Sequence, residues 1–181
     1  RTVTGVDPAA ASLEIAARRD NRVRWILGDA TGLPALRVDL AVMTGNVAQV
    51  FLTDDDWTAT LRGIRAALRP GGHLVFESRR PAFRAWEEWA AGTAPITRDV
   101  PGIGPVERRS RSVEVALPLV SFRHTYRFPD GEVLTSDSTL RFRDEDELRQ
   151  SLEQTGYSVR AVRQAPDRPD REYVVIARAT E

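Results

Sequence analysis

The sequence predicts an α/β fold with a mostly parallel sheet, and two observations support this. Over the first 80 residues, short apolar segments alternate with helical patterns, which is typical of a parallel sheet. The 181 residues can bury one sizeable core and are few for two. We therefore predict one domain over residues 1–181.

Four parallel strands are predicted in this first part, over residues 2–6, 23–27, 38–43 and 73–76. A helix is predicted after the first strand, with Pro8 in its first turn and its end near Arg19. A second helix is predicted up to Leu68. Thr53 is its expected N-cap, and three aspartates follow at its positive end.

In the second half of the chain, the sequence predicts antiparallel rather than parallel strands. Strands are predicted over residues 106–117, 119–128 and 133–142, with Pro-Asp-Gly at 129–131 as a hairpin turn. A helix over 81–91 precedes this small antiparallel insertion, and residues 92–105 predict a mobile loop. A helix over 144–154 and a closing antiparallel pair, 158–163 and 172–178, complete the chain.

Polar or small residues follow all four predicted parallel strands. They are Asp7, Gly28 with Asp29, Thr44 to Asn46, and Glu77 to Arg79. Ligands of open α/β sheets bind at the carboxyl ends of the strands. Asp7 alone is equally a helix cap, and Asp29 could equally cap a turn with Thr31. The four strand ends together favour a nucleotide-like ligand.

Three sequence landmarks resemble those of one family. They are Val-Thr-Gly-Val-Asp ending at Asp7, Gly-Asp-Ala from Gly28 with Leu33-Pro34, and Leu-Arg-Pro-Gly-Gly from Leu68. Their order and spacing are similar to those of class I, Rossmann-like, S-adenosylmethionine-dependent methyltransferases. The resemblance covers the whole chain and implies S-adenosylmethionine as cofactor.

The resemblance also implies roles for individual residues. Asp7 would hold the ribose of the cofactor, Asp29 would accept a hydrogen bond from the adenine amino group, and the Ala30 backbone N–H would meet a ring nitrogen. The residues implied beside the methionine part and the transferred methyl group are Thr44, Gly45 and Asn46.

One departure from the family concerns its first strand and the glycine-rich loop that follows it. Neither is found in this sequence. The pair Gly102 and Gly104 is not a substitute for the loop, because Pro105 follows it and no predicted strand precedes it. In the family that strand lies between the strands that end here at Asp7 and Asn46. We therefore expect a chain that is incomplete at its N-terminus, with two unpaired strand edges, or a rearranged sheet. Without the loop, the chain alone is either an active methyltransferase or an inactive one, and the sequence leaves both alternatives open.

Methyl transfer from a sulfonium mainly demands alignment, and a base is needed only when the acceptor must lose a proton. His124 is a candidate general base, although an ordinary strand histidine is the alternative. Glu77 and Arg79 are candidate substrate ligands or a local ion pair. Trp86 and Trp89 share a helix face and would form an aromatic wall or pack inside. Residues 81–142 are predicted to form the substrate lid.

Composition limits the partners. The chain has no cysteine, its 26 basic residues balance 26 acidic ones, and its apolar segments are short. We expect a cytoplasmic enzyme without metal, nucleic-acid or membrane partners that acts on a small molecule, with dimerisation left open. Two alternatives remain: a non-catalytic binding or dimerising module of this fold, and an NAD-dependent oxidoreductase.

Overall fold

The computed structural model describes residues 2–92 and 94–180, which form three sheets, with strands numbered in chain order. The first is a parallel pair, β1 (Thr4–Asp7) and β2 (Arg24–Leu27). The second has the order β3-β4-β10-β9, with bounds Val38–Met43, Leu68–Arg79, Arg168–Ala179 and Tyr157–Ala165. The third has the order β5-β6-β7-β8, with bounds Ile96–Val100, Gly104–Ala116, Leu119–Arg127 and Val133–Arg141.

Four α-helices connect these strands. They are α1 (Ala10–Arg19), α2 (Asp54–Ala67), α3 (Ala85–Ala91) and α4 (Glu145–Gln154). Short 3₁₀ helices cover Ala30–Gly32, Val47–Val50 and Pro81–Phe83. In the described part of the chain, no helix has both the length and the apolar character needed to cross a membrane.

The α/β prediction is confirmed, and the parallel strands are divided between two sheets. Strand β1 pairs only with β2, and β3 pairs only with β4. Each of β1 and β3 therefore has one edge without a strand partner among the described residues. These are the two unpaired edges that the sequence predicted. The closing pair is antiparallel as predicted, and β10 joins it to β4.

The main core lies between α2, α4 and the second sheet. Trp57, Leu61 and Ile64 repeat at helical spacing, so they form one apolar face of α2, and all three are buried. The Trp57 ring packs edge-on against Phe76 at 5.5 Å. The predicted N-cap of this helix is confirmed, because Thr53 Oγ1 accepts a hydrogen bond from the Asp56 backbone N–H at 3.1 Å.

A close contact joins the first sheet to this core. The 3₁₀ helix after β2 packs on α2 at Gly63, where a Cβ would lie 2.0 Å from the Ala30 carbonyl oxygen. Only glycine allows the two backbones to approach so closely. The segment that carries Asp29 and Ala30 is thus seated directly on α2.

The second half differs from its prediction in three places. Residues 92–105, expected to be a loop, contain β5, whose mostly exposed residues lack an alternating apolar pattern. The predicted helix 81–91 is interrupted at Arg84, which has a left-handed backbone with φ 54°. Strand β4 begins at Leu68, so the Arg-Pro-Gly-Gly segment lies inside the strand rather than before it.

Candidate functional site

Asp7 and Asp29 lie at the same edge of the first sheet. Asp7 is the last residue of β1, and Asp29 follows β2 by two residues. The Gly28 backbone N–H donates to the Asp7 carbonyl oxygen at 3.2 Å, which ties the two strand ends together. Because the strands are parallel and in register, both carboxylates leave the sheet at its carboxyl end.

Each of these carboxylates also stabilises its own turn. Asp7 Oδ1 accepts from the Ala9 backbone N–H at 2.8 Å, and Asp29 Oδ1 accepts from both the N–H and the hydroxyl of Thr31, at 2.8 and 2.6 Å. The Thr31 hydroxyl and N–H lower the pKa of Asp29 below its ordinary value. Asp29 is therefore ionised at neutral pH. Within residues 2–92 and 94–180, no hydrogen bond uses the Oδ2 atom of either aspartate, which leaves it open to a ligand.

A left-handed turn follows β3 and presents a backbone N–H. Gly45 and Asn46 have φ values of 68° and 63° in succession, and the Gly45 N–H donates to Glu77 Oε2 at 3.0 Å. Thr44 and Gly45 are exposed, and the space beside the Gly45 Cα is open. Positive φ at a non-glycine residue is uncommon and often marks a functional segment.

Asn46 lies beneath this turn rather than on its surface. Its side chain is 3% exposed, and its Nδ2 donates to Glu172 Oε1 at 2.9 Å. Arg168 Nη1 donates to the same Glu172 oxygen at 3.0 Å. Asn46 Oδ1 and Glu172 Oε2 are buried without a hydrogen-bond partner among the described residues. The Asn46 side chain is therefore engaged inside the protein, whereas Thr44 and Gly45 are exposed.

Glu77 and Arg79 project from the same face of β4, since strand residues two apart share a face. Arg79 Nη1 donates to Gln49 Oε1 at 2.9 Å, and its guanidinium lies 5.3 Å from the centre of the Trp89 ring. Burial lowers the pKa of Arg79 below its ordinary value. Among the described residues, Glu77 and Arg79 form no salt bridge with each other: Glu77 accepts from the Gly45 N–H, and its charge acts on Arg79 at longer range.

Trp86 and Trp89 have different environments despite sharing one helix. Trp86 is 4% exposed and packs edge-on against Phe142 at 4.9 Å, so it belongs to a small core. Its predicted role as an aromatic wall is therefore wrong. Trp89 is partly exposed, and its ring lies 5.3 Å from that of Phe122. It is the tryptophan of this pair that a ligand can reach.

His124 lies on β7, and Phe122 separates it from Trp89. Its ring centre is 5.2 Å from that of Phe122, and its Nδ1 is 3.1 Å from Ser110 Oγ. Burial, and then the nearby Arg108, lower the pKa of His124 below 6.5, so it is neutral at pH 7. Its partners are those of a strand histidine, while its neutral ring retains the capacity to accept a proton.

Two buried residues of this site were not predicted from the sequence. Glu172 is 126 residues from Asn46 along the chain, and Gln49 lies in the 3₁₀ helix after the turn. Neither follows a predicted strand, so the rule about strand ends does not find them. The described residues contain no group of three or more acidic, histidine or cysteine side chains that could hold a metal ion.

The sequence and fold are similar to those of known proteins. Residues 1–72 match a family model described as a methyltransferase domain. The chain aligns over its full length with an S-adenosylmethionine-dependent methyltransferase from Clostridium acetobutylicum, with a TM-score of 0.77, 13% identity and 76% of that chain covered. Residues 1–72 therefore resemble a methyltransferase domain, and the chain shares the fold of this methyltransferase.

Two further structures share this methyltransferase fold. CalS10, a SAM-bound amino pentose methyltransferase from Micromonospora echinaspora, aligns over 99% of this chain and 74% of its own, with a TM-score of 0.74 and 20% identity. The sugar N-methyltransferase KedS8 from Streptoalloteichus aligns over 98% of this chain and 71% of its own, with a TM-score of 0.75 and 17% identity. No curated protein sequence matches the chain.

Proposed function

We propose that this chain transfers a methyl group from S-adenosylmethionine to a small-molecule acceptor. The observation that carries the proposal is the pairing of Asp7 and Asp29 at one edge of a parallel sheet, with their strand ends joined by the Gly28 to Asp7 hydrogen bond of 3.2 Å. Two adjacent carboxylates suit a ligand that has hydroxyl and amino donors close together, as adenosine has.

The donor and acceptor groups of the site fit this cofactor. Asp7 Oδ2 is available to ribose hydroxyls, and Asp29 Oδ2 is available to the adenine amino group, because the hydrogen bonds within the chain use Oδ1. Ala30 begins the 3₁₀ helix beside Asp29 and would place its backbone N–H toward the base. When bound, the cofactor supplies a methyl group on a positively charged sulfur.

The turn after β3 would position the methyl-donor end. Glu77 fixes the Gly45 N–H, and Asn46 anchors the turn from below through Glu172. These two hydrogen bonds favour the observed conformation of the turn, and the exposed Thr44 and Gly45 would line the site. A preorganised turn favours transfer, because the reaction depends mainly on alignment of its partners.

The acceptor would bind between this turn and the third sheet. Arg79 and Trp89 face this side, and residues 81–142 would form the lid. His124 would take a proton from an acceptor that must lose one, since the pKa of its ring is lowered and it is neutral at pH 7. A small acceptor accords with the descriptions of CalS10 and KedS8 as sugar-type methyltransferases.

Calorimetric titration of the purified protein with S-adenosylhomocysteine and, separately, with NAD⁺ tests the proposal. We expect S-adenosylhomocysteine to bind at least about tenfold more tightly, which corresponds to about 1.4 kcal/mol of binding free energy. Preference for NAD⁺ would favour an oxidoreductase, and absence of binding to either ligand would favour a non-catalytic module. Either result would contradict the proposed function.

A further inference from the structure

A small cavity lies beside the proposed transfer site, between the end of β4, helix α3 and the start of β10. Its volume is about 130 Å³. Residues with charged or aromatic side chains make up most of its lining: Arg79, Glu88, Trp89, Arg168, Arg171 and Glu172. Water occupies about 30 Å³ per molecule in the liquid, so the cavity accommodates a substituent rather than a whole drug-sized ligand.

The charges that line the cavity do not balance. Arg168 pairs with Glu172 at 3.0 Å, and Arg171 pairs with Glu88 at 3.1 Å. Arg79 has no carboxylate within salt-bridge distance among the described residues, and its guanidinium donates to the neutral Gln49 amide. The three arginines and two glutamates of the lining therefore carry one net positive charge, while Glu172 and Glu77 act on Arg79 from beyond salt-bridge distance.

Partial burial makes this charge a favourable partner for an anion. The pKa of Arg79 is lowered because burial removes water from the guanidinium, although it stays protonated. An oxyanion that bound here would restore the lost solvation with charge-assisted hydrogen bonds, and the planar guanidinium can bind two such oxygens at once. The guanidinium also lies over the Trp89 ring, 5.3 Å from its centre, which is a cation–π distance.

The cavity is also at a suitable distance from the methyl donor. Glu77, which holds the turn after β3, and Arg79 are two residues apart on the same face of β4. Strand residues rise about 3.3 Å each, so the two side chains start about 7 Å apart. A small acceptor can therefore span from the cavity to the turn.

We infer that the methyl acceptor carries an anionic oxygen group, a carboxylate or phosphate, that binds Arg79 in this cavity. This inference rests on the proposed function for the identity of the ligand as acceptor. Its physical basis is a half-buried arginine that makes no salt bridge among the described residues and lies beside an aromatic ring. This basis is independent of the proposed cofactor-binding residues Asp7 and Asp29.

The test uses three aromatic probes and the indole N–H signals of tryptophan in NMR spectra. Phenyl phosphate, benzoate and the neutral benzyl alcohol are titrated into the purified protein, and the Trp89 signal is assigned with Trp89→Phe. We expect at least one of the two anions to shift the Trp89 signal saturably, with affinity at least about tenfold above that of benzyl alcohol. The stronger of the two anions distinguishes a carboxylate from a phosphate.

Variants then assign the binding to Arg79. Arg79→Gln should lose the preference for the anion, whereas Arg127→Gln, which changes an exposed arginine on β7, should keep it. Equal affinity of wild-type protein for the anions and benzyl alcohol would overturn the inference without any variant. Unchanged anion binding by Arg79→Gln would also overturn it. S-Adenosylhomocysteine titrated into the same samples tests the proposed function separately.

Discussion

The two parts of the proposed site differ in how deeply their strands are buried: the adenosine end lies on the first sheet and the methyl-donor end on the second. The first sheet has two short strands, and Leu27 on β2 is 63% exposed. In the second sheet, Leu74 on β4 is 0% exposed and lies in a core shared with two helices. A two-stranded sheet alone is marginally stable in water. The adenosine end of the site therefore depends on its seat against α2, whereas the methyl-donor end belongs to the main core.

The largest expected difference concerns two tryptophans, one in each part. Trp57→Ala should lower the free energy of unfolding by about 3–5 kcal/mol, because it leaves a cavity beside Phe76 in the core. Trp25→Ala on β2 should cost about 1 kcal/mol, since Trp25 is only partly buried. Urea denaturation measures both. Equal losses would show that the two parts share one core.

Gly63→Ala tests the contact between the two parts. A Cβ at residue 63 would lie 2.0 Å from the Ala30 carbonyl oxygen, so the backbone of one segment must move. We expect a loss of about 1–3 kcal/mol of stability, despite the better helix propensity of alanine. The matched control is Gly32→Ala, where a Cβ meets open space and stability should change by less than about 0.5 kcal/mol. Denaturation curves that rank the two variants in the reverse order would contradict this contact.

Asp7→Asn separates ligand binding from stability. The asparagine oxygen can still accept from the Ala9 N–H, so thermal stability should stay near that of the wild type. Loss of a charged acceptor for the ribose should weaken S-adenosylhomocysteine binding by roughly tenfold to a hundredfold in calorimetry. Asp39→Asn, on exposed β3, is the control and should bind normally. A wild-type affinity for Asp7→Asn would remove Asp7 from the site.

The smallest expected effect is the pH dependence contributed by His124. Burial and Arg108 lower the pKa of His124 in the folded protein, so the folded state binds this proton less readily than the unfolded chain does. Its contribution is therefore fully present above the unfolded pKa of about 6.5 and is lost as pH falls below it. His124→Gln should reduce the slope of unfolding free energy between pH 7 and about 5, measured by urea denaturation. A slope unaffected by His124→Gln would contradict this account.

The sequence was most informative where a local signal specifies the structure. Strand β3 has the predicted bounds Val38–Met43, because the apolar residues 40–43 end directly at Thr-Gly-Asn. Thr53 caps its helix through its own side chain as predicted, which is a short-range interaction. The meeting of Asp7 and Asp29 followed from one rule, that parallel strands end at the same edge of a sheet.

Features that depend on distant pairing could not be predicted in the same way. Glu172 reaches the site only because β10 pairs antiparallel with β4 and places it opposite Arg79. The exposed residues of β5 carry no periodic pattern, and the pairing with β6 defines that strand. Trp86 and Trp89 share a helix face in sequence, yet packing against Phe142 buries Trp86 far more fully. Tertiary contacts decided each of these outcomes.

The account depends most on recognition of one adenosine group by the paired carboxylates, and a change at the base tests it directly. Calorimetry should compare the purified protein's affinity for S-adenosylhomocysteine with that for S-inosylhomocysteine, in which an oxygen replaces the adenine amino group. Because Asp29 is an ionised acceptor, we predict at least about tenfold tighter binding of the adenine form, and loss of this preference in Asp29→Asn. Equal affinity of the wild-type protein for both ligands would contradict the account.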